Sequence, residues 1–365
     1  MSVFNIAVIA AERGGFVRAA PLLAELRARP ECNPRFVFAG EDYVPWAASE
    51  LFHDLGLPYA DAVIGASEGT RAERLARVMT GCERFAAARD LRAVVLVGQS
   101  PTMLGCAIAC ARSRAVVAHA DAGLRAPGVS GRTGLAAQMD RACGLLLAAS
   151  EPAHDRLLNE GAAEETVMLA GTLAADAVAR WLKPARESDA PARAGLQRKE
   201  FALALVESPA TIENVVNLRK LVDVLARVQD QVPIAMCVHR RLSEKLKHWD
   251  LAQSVAELPH VREVEPRGYV EFLSLLDSAR LVLTDVGGIQ DEAAVLGVPC
   301  LTLADATDRA ATVVCGNNTL VGLDAEPAGQ AVAAVMENRY PQARRPAAWD
   351  GRAAERIVDA LLETV

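Results

Sequence analysis

RLVLTDVGGIQDEAAVLGVPCLTL, residues 280–303, decides how the chain folds. Leu281 to Thr284 is a short apolar run with no polar alternation, the pattern of a parallel strand covered on both faces. Asp285 to Gly288 breaks the run with a turn. Gln290 to Leu296 then reads as a helix, ended by Gly297 and Pro299, and Cys300 to Leu303 is apolar again. Strand, glycine turn, helix, strand is a βαβ unit, and it predicts a parallel sheet.

Working outward, the same unit recurs. Ahead of it lie strand candidates at Ala202–Val206, Ile234–Val238 and Val261–Val264. The helical stretches between them are Asn214–Gln229, Arg241–His248 and Tyr269–Asp277. In the first half, strands are expected at Phe4–Ile9, Arg35–Ala39, Ala93–Val97, Ala115–Ala118, Leu145–Ala148 and Val167–Leu169. Helices are expected at Phe16–Arg27, Arg71–Ala88 and Thr102–Ser113. Between the two series, Lys183 to Lys199 (KPARESDAPARAGLQRK) has charge and proline but no apolar period, and reads as a linker. The expected organisation is therefore a Rossmann-like domain over 1–182, a linker over 183–199, a second Rossmann-like domain over 200–346 and a terminal amphipathic helix over 347–365. The fold class is α/β, with two doubly wound parallel sheets facing a central cleft, and function belongs in the loops after strands.

Composition narrows the function. The 365 residues are 52% hydrophobic and 23% charged, enough to bury a large interior. A net charge of −7 gives no general attraction to phosphate polymers or anionic lipid, so neither a nucleic-acid nor a membrane partner is expected. No window approaches eighteen uninterrupted apolar residues. Met1 to Ala11 lacks a basic start and reads as a first strand, which makes the cytoplasm the expected location. The eight cysteines are dispersed and read as buried thiols. His53, His154, His248 and His260 show no metal-ligand spacing, so no metal or other cofactor is expected.

Gly287 and Gly288, between a strand and a helix, allow backbone amides to approach a ligand where the positive end of a helix favours an anion. A plain structural turn gives the same pattern. Glu292 in the first helical turn fits a ribose acceptor and also ordinary helix design. Arg13 and Arg18, just after the first strand, suit phosphate oxygens; surface salt bridges are the alternative.

At this point the residues resemble a family. LTDVGGIQDEAAVLGVPCLTLADATDR is similar to the TDSGGIQEE, LGxP and TTERPE signature of the non-hydrolysing UDP-N-acetylglucosamine 2-epimerases. Ala11-Glu12-Arg13-Gly14-Gly15 through Arg18-Ala19-Ala20-Pro21-Leu22 resembles the family's GTRPE and K-x-A-P-L opening. His119 to Arg125 resembles HVEAGLR, Val238-His239 the VH turn, and Tyr269 to Phe272 the Y-x-x-F helix start. The resemblance spans nearly the whole chain. It implies a GT-B type fold, a UDP-sugar in the cleft and a homodimer. It assigns Arg13, Arg18, Gly287, Gly288, Glu292 and Arg309 to the nucleotide sugar and matches Phe272 to an apolar wall near the base, a position that plain core packing explains too; His239, in a basic turn after a strand, fits phosphate or sugar contact and simple solvation equally.

The catalytic positions depart from that pattern. The implied chemistry is elimination of UDP with removal of the proton on carbon 2, then re-addition on the other face, which needs carboxylates to move a proton. Gln99 stands where the family's HGDT turn has its aspartate and cannot exchange a proton. Asp121 replaces a glutamate and keeps a carboxylate one methylene shorter. GRTGLAAQMD at 131–140 replaces the PEExxR segment. Glu207 and Ser208 replace a histidine–arginine pair, Val286 replaces the serine of SGG, and Gly40-Glu41-Asp42 replaces GQH. The expected activity is C2 epimerisation of UDP-N-acetylglucosamine or a related UDP-amino sugar, with Asp121 and Glu207 as acid/base groups and Gln99 and Val286 as substrate contacts. Two alternatives stand beside it. One is a catalytically silent homologue that binds nucleotide sugar in assembly or regulation, and the other is a GT-B glycosyltransferase.

Overall fold

The computed structural model describes residues 3–40, 49–65, 68–127, 130–341 and 344–364, with side chains at 130–133 also left aside. The chain forms two compact units, Met1–Arg180 with Ala347–Val365, and Trp181–Pro346.

The first unit holds a seven-stranded sheet of β1 (Phe4–Ala10), β2 (Cys32–Phe38), β3 (Ala62–Val63), β4 (Leu91–Val97), β5 (Val116–Ala122), β6 (Leu145–Ala148) and β7 (Val167–Leu169), in the order β3-β2-β1-β4-β5-β6-β7. The second holds β8 (Ala202–Leu205), β9 (Ile234–Cys237), β10 (Val261–Val264), β11 (Leu281–Thr284), β12 (Cys300–Thr302) and β13 (Asn318–Leu320), in the order β10-β9-β8-β11-β12-β13. Every pairing in both sheets is parallel. Each sheet reverses direction once, between β1 and β4 and between β8 and β11. That is the doubly wound Rossmann order, and it opens a crevice beyond the strand ends at each reversal.

Continuous burial explains the apolar runs: β4, β6, β8, β9 and β11 are buried along nearly all their length. In the second unit, Leu218, Leu221, Leu225 and Val228 of the helix Val215–Gln229 fall at helical spacing. They join Ala204, Met236, Leu283 and Leu301 in one core.

Two strands escape the sequence reading. β3 is two residues long, and β13 is a short edge strand whose Thr319 and Leu320 are exposed, so neither leaves an apolar run. β2 starts three residues earlier than expected, because Pro34 in its first half lies where β3 does not pair and no ladder donor is needed.

The expected linker is not structureless. The helix Leu173–Glu187 runs into it, and a short helix, Ala190–Arg193, follows. Its order comes from charge rather than apolar periodicity. Arg186 and Arg198 both bind the Asp277 carboxylate, Arg193 binds Glu271, and Lys199 Nζ donates to the carbonyls of Asp277 and Ala279 at 2.8 Å. The carboxy-terminal segment packs back on the first unit. Trp349 donates its indole N–H to Ala149 at 2.6 Å, and Asp176 accepts from the amides of Ala353 and Ala354 at the start of the last helix.

Candidate active site

In the first unit, the switch point lies after β1 and β4. The helix Arg13–Ala28 begins there, and on the other side stands the turn Gly98-Gln99-Ser100, whose serine caps the helix Pro101–Cys110. Arg18, one helical turn beyond half-buried Arg13, is itself buried and points back to the strand ends. Its Nε donates to the Gly14 carbonyl at 2.9 Å, and its Nη1 donates to the carboxylate of Asp121.

Asp121 reaches that position through an unusual backbone. The pairing of β5 with β6 skips it, Ala120 and Ala122 taking successive partners, and its φ is +63°. A non-glycine residue in the left-handed region costs on the order of 1–3 kcal/mol and is held only where its surroundings fix it. Here Gln99 Nε2 donates to the Asp121 carbonyl at 3.3 Å, and Gly123 follows at φ +80°, where a Cβ would lie 2.3 Å from the Ala153 carbonyl oxygen. Gln99 therefore supports the carboxylate in place of supplying one.

Below this bulge lies a buried network. His119 Nδ1 and Asp140 Oδ1 are 2.6 Å apart, Asp140 Oδ2 accepts from the Gly123 amide at 3.2 Å and pairs with Arg125 at 2.7 Å, and Arg125 reaches Glu160 at 2.7 Å. Asp140 is thus occupied inside the fold. Burial alone raises its carboxyl pKa, but His119 and Arg125 outweigh that and hold it below the usual range. The sign follows: stability from Asp140 is complete above its unfolded pKa of about 3.9 and is lost as pH falls through the lower folded value. We expect Asp140→Asn to lower stability at neutral pH by about 3–5 kcal/mol, the cost of breaking a buried pair. The gap from wild type should shrink below about pH 4, as read by urea denaturation across pH.

In the second unit, the switch point lies after β8 and β11. Asp285, which the sequence reading did not single out, joins the two loops. It accepts from the amides of Glu207 at 2.9 Å and Ser208 at 3.2 Å, and from the Thr211 hydroxyl at 2.7 Å. Burial pushes its carboxyl pKa up, those donors oppose the rise, and the nearby Glu207 charge adds to it. An acid directly after a central strand was the available signal. Glu207 itself is half-buried.

Val286 is the N-cap of the helix Gly287–Leu296 and offers no side-chain cap, so the first amides of that helix are not capped by its own N-terminal residue. A Cβ on Gly287 would meet Arg309 Nε at 2.9 Å, whereas one on Gly288 would meet nothing within 4 Å. The first glycine admits Arg309; the second borders open space. Arg309 is buried and pairs with Asp291 at 3.2 Å. Its loop is held by Thr307, which accepts from the Arg309 amide and donates to Gln290, and by Thr312, which donates to the Arg309 carbonyl. Asn318 and Thr302 extend this buried polar layer. The sequence gives it away only as polar residues inside apolar runs. Glu292 is buried and accepts from the Tyr269 hydroxyl at 3.1 Å.

Two predicted contacts are engaged within the second unit. His239 caps the helix Arg240–His248 through Nδ1, and its Nε2 lies 3.0 Å from the Val206 carbonyl, which fixes the ring between the ends of β8 and β9. Phe272 is fully buried. Glu41 and Asp42 lie outside the described residues. His53, read as lacking ligand spacing, lies with Glu50 and Asp54 on one turn, their ligand atoms within 4.8 Å; the i, i+3, i+4 spacing on a helix does this.

The family model for UDP-N-acetylglucosamine 2-epimerase matches residues 24–362. The chain belongs to the UDP-N-acetylglucosamine 2-epimerase family. It is 28% identical over 367 residues to the UDP-N-acetylglucosamine 2-epimerase of Methanocaldococcus jannaschii, covering 98% of each chain. It is 26% identical to the UDP-2,3-diacetamido-2,3-dideoxy-D-glucuronate 2-epimerase of Pseudomonas aeruginosa, covering 87% of this chain and 88% of that one. The crystal structure of the M. jannaschii enzyme in complex with UDP-GlcNAc and UDP superposes with a TM-score of 0.89 at 26% identity, covering 99% of this chain and 100% of that one. The two parallel-sheet units are thus of the GT-B type found in the epimerase family. Among the described residues, no helix is long and apolar enough to cross a membrane.

Proposed function

We propose that this family member is an active epimerase that inverts carbon 2 of a UDP-linked 2-acetamido sugar. The relatives named for this reaction support the reading. The observation that carries it is the buried Asp121 carboxylate, held on Arg18 at a strained bulge beside the β1–β4 crevice. Among the described residues, Asp121 keeps a carboxylate that can take up and return a proton, whereas Gln99 cannot.

The roles divide by unit. The helix start at Gly287-Gly288 and the Arg309 guanidinium bind the diphosphate, with Val286 flanking it and Glu292 accepting from the ribose. His239 and Phe272 act by shaping this pocket. In the first unit Asp121 takes the C2 proton from one face, Gln99 holds its backbone, and the proton returned to the other face comes from a second acid. Arg13 and Arg18 counter the charge that develops as UDP leaves. Glu207 is the second carboxylate. No cofactor is needed, because elimination and re-addition involve no net redox change. We place the working enzyme in the cytoplasm as a homodimer.

Thermal unfolding tests the nucleotide half. UDP at saturation should raise Tm by several degrees and uridine should not, since the diphosphate carries the contacts. Equal shifts with the two ligands, or none, would overturn the assignment.

A further inference from the structure

One carboxylate ties together both sides of the Asp121 bulge. Asp140, on the helix Ser130–Ala142, accepts from His119 Nδ1 through Oδ1 at 2.6 Å and from the Gly123 amide through Oδ2 at 3.2 Å. Its carboxyl is held below the usual range and is ionised at neutral pH, so Nδ1 is the donor. The two partners stand two residues before and two residues after Asp121. Arg125 extends the hold: its Nη2 pairs with Asp140 at 2.7 Å, and its Nη1 donates to the Leu124 carbonyl at 3.0 Å. Asp140, His119 and Arg125 are all buried. The regular ladder ends where this clamp acts. His119 and Ala120 still pair with Leu96 and Val97 of β4 and with Leu146 and Leu147 of β6, and then Asp121 is skipped. A left-handed residue outside the ladder persists only if its surroundings fix it. Gln99 does so at the Asp121 carbonyl, and Asp140 does so on either side.

Stability alone is a poor account of such a network. Breaking a buried ion pair is costly, yet the intact pair contributes little beyond well-packed apolar side chains of the same volume. Nor is the network a proton relay. The Nδ1 hydrogen of His119 goes to Asp140, and its Nε2 is buried with no hydrogen-bond partner among the described residues, so the ring has no route onward and serves as a strut. Both oxygens of Asp140 are engaged inside the fold. What the network fixes is position, and position matters at a reacting group: a misplacement of about 1 Å costs about 10²-fold in rate.

We propose that Asp140 is a positioning residue for the proton transfer: by holding His119 and the Gly123 amide it fixes the bulge that keeps the Asp121 carboxylate on Arg18. This rests on the epimerase reading and deepens it. The test uses the full chain, with C2 epimerisation of UDP-N-acetylglucosamine expressed per folded chain and UDP binding followed by calorimetry. Asp140→Asn should lower kcat by about 10–100-fold and leave UDP affinity within about twofold. His119→Leu, which removes the strut without touching a carboxylate, should lower kcat by about tenfold or more. His119→Asn, whose amide nitrogen can stand where Nδ1 stands and donate to Asp140, should recover most of that loss. A kcat for folded Asp140→Asn within about twofold of wild type would overturn the proposal, as would a UDP affinity that falls in step with the rate. His119→Asn no faster than His119→Leu would also overturn it, because the ring would then act through Nε2. Should Asp140→Asn fail to fold, the two His119 variants decide. A wild type that leaves carbon 2 unchanged would defeat the epimerase reading itself, and the wild-type arm reports that separately.

Discussion

Asp121→Asn is expected to reduce epimerase turnover by about 10²–10⁴-fold, the usual worth of a positioned acid or base, with UDP affinity nearly unchanged. Asparagine keeps an oxygen for Arg18 but cannot exchange a proton. Asp121→Ala should behave differently. It leaves a buried guanidinium without its carboxylate and should cost about 3–5 kcal/mol of stability as well as activity. The pair of variants separates chemistry from folding: rates from one and urea midpoints from the other. A near-normal rate for Asp121→Asn would remove this residue from the mechanism.

The second large effect is expected at the glycine turn. A methyl group at Gly288 meets nothing in the protein, so Gly288→Ala should fold and melt like wild type. If a diphosphate lies against that turn, the methyl intrudes on it, and UDP should bind about 10–100-fold more weakly, the loss of one or two charge-assisted hydrogen bonds. At Gly287 the Cβ would press on Arg309 and Asp308, so Gly287→Ala should weaken UDP by displacing Arg309 from Asp291 and should also lower Tm. Titration calorimetry with UDP checks both, and unaltered UDP affinity in Gly288→Ala would place the ligand elsewhere.

Much of the fold is legible because parallel strands buried on both faces write themselves as apolar runs. β6, β7, β10 and β11 fall where those runs predict. What is not legible is held by polar contacts. The segment 183–199 has no apolar period because its anchors are arginines and a lysine on Asp277 and Glu271, side chains that a sequence shows as generic surface charge. The same is true of the site. Arg18 and Asp121 are visible as residue types, but their pairing depends on a bulge and a positive φ at a residue that carries no glycine signal. Asp285 and the Gln290–Thr307–Asn318 layer stay hidden because a buried polar residue differs from an exposed one only in its surroundings.

The most direct test is proton exchange at the reacting carbon. Incubated with UDP-N-acetylglucosamine in deuterated water, the wild-type chain should place deuterium on carbon 2 of the recovered nucleotide sugar, and Asp121→Asn should not. Carbon 2 fully protonated at high enzyme concentration would contradict removal of that proton, and with it the account of Asp121 as the group that carries it.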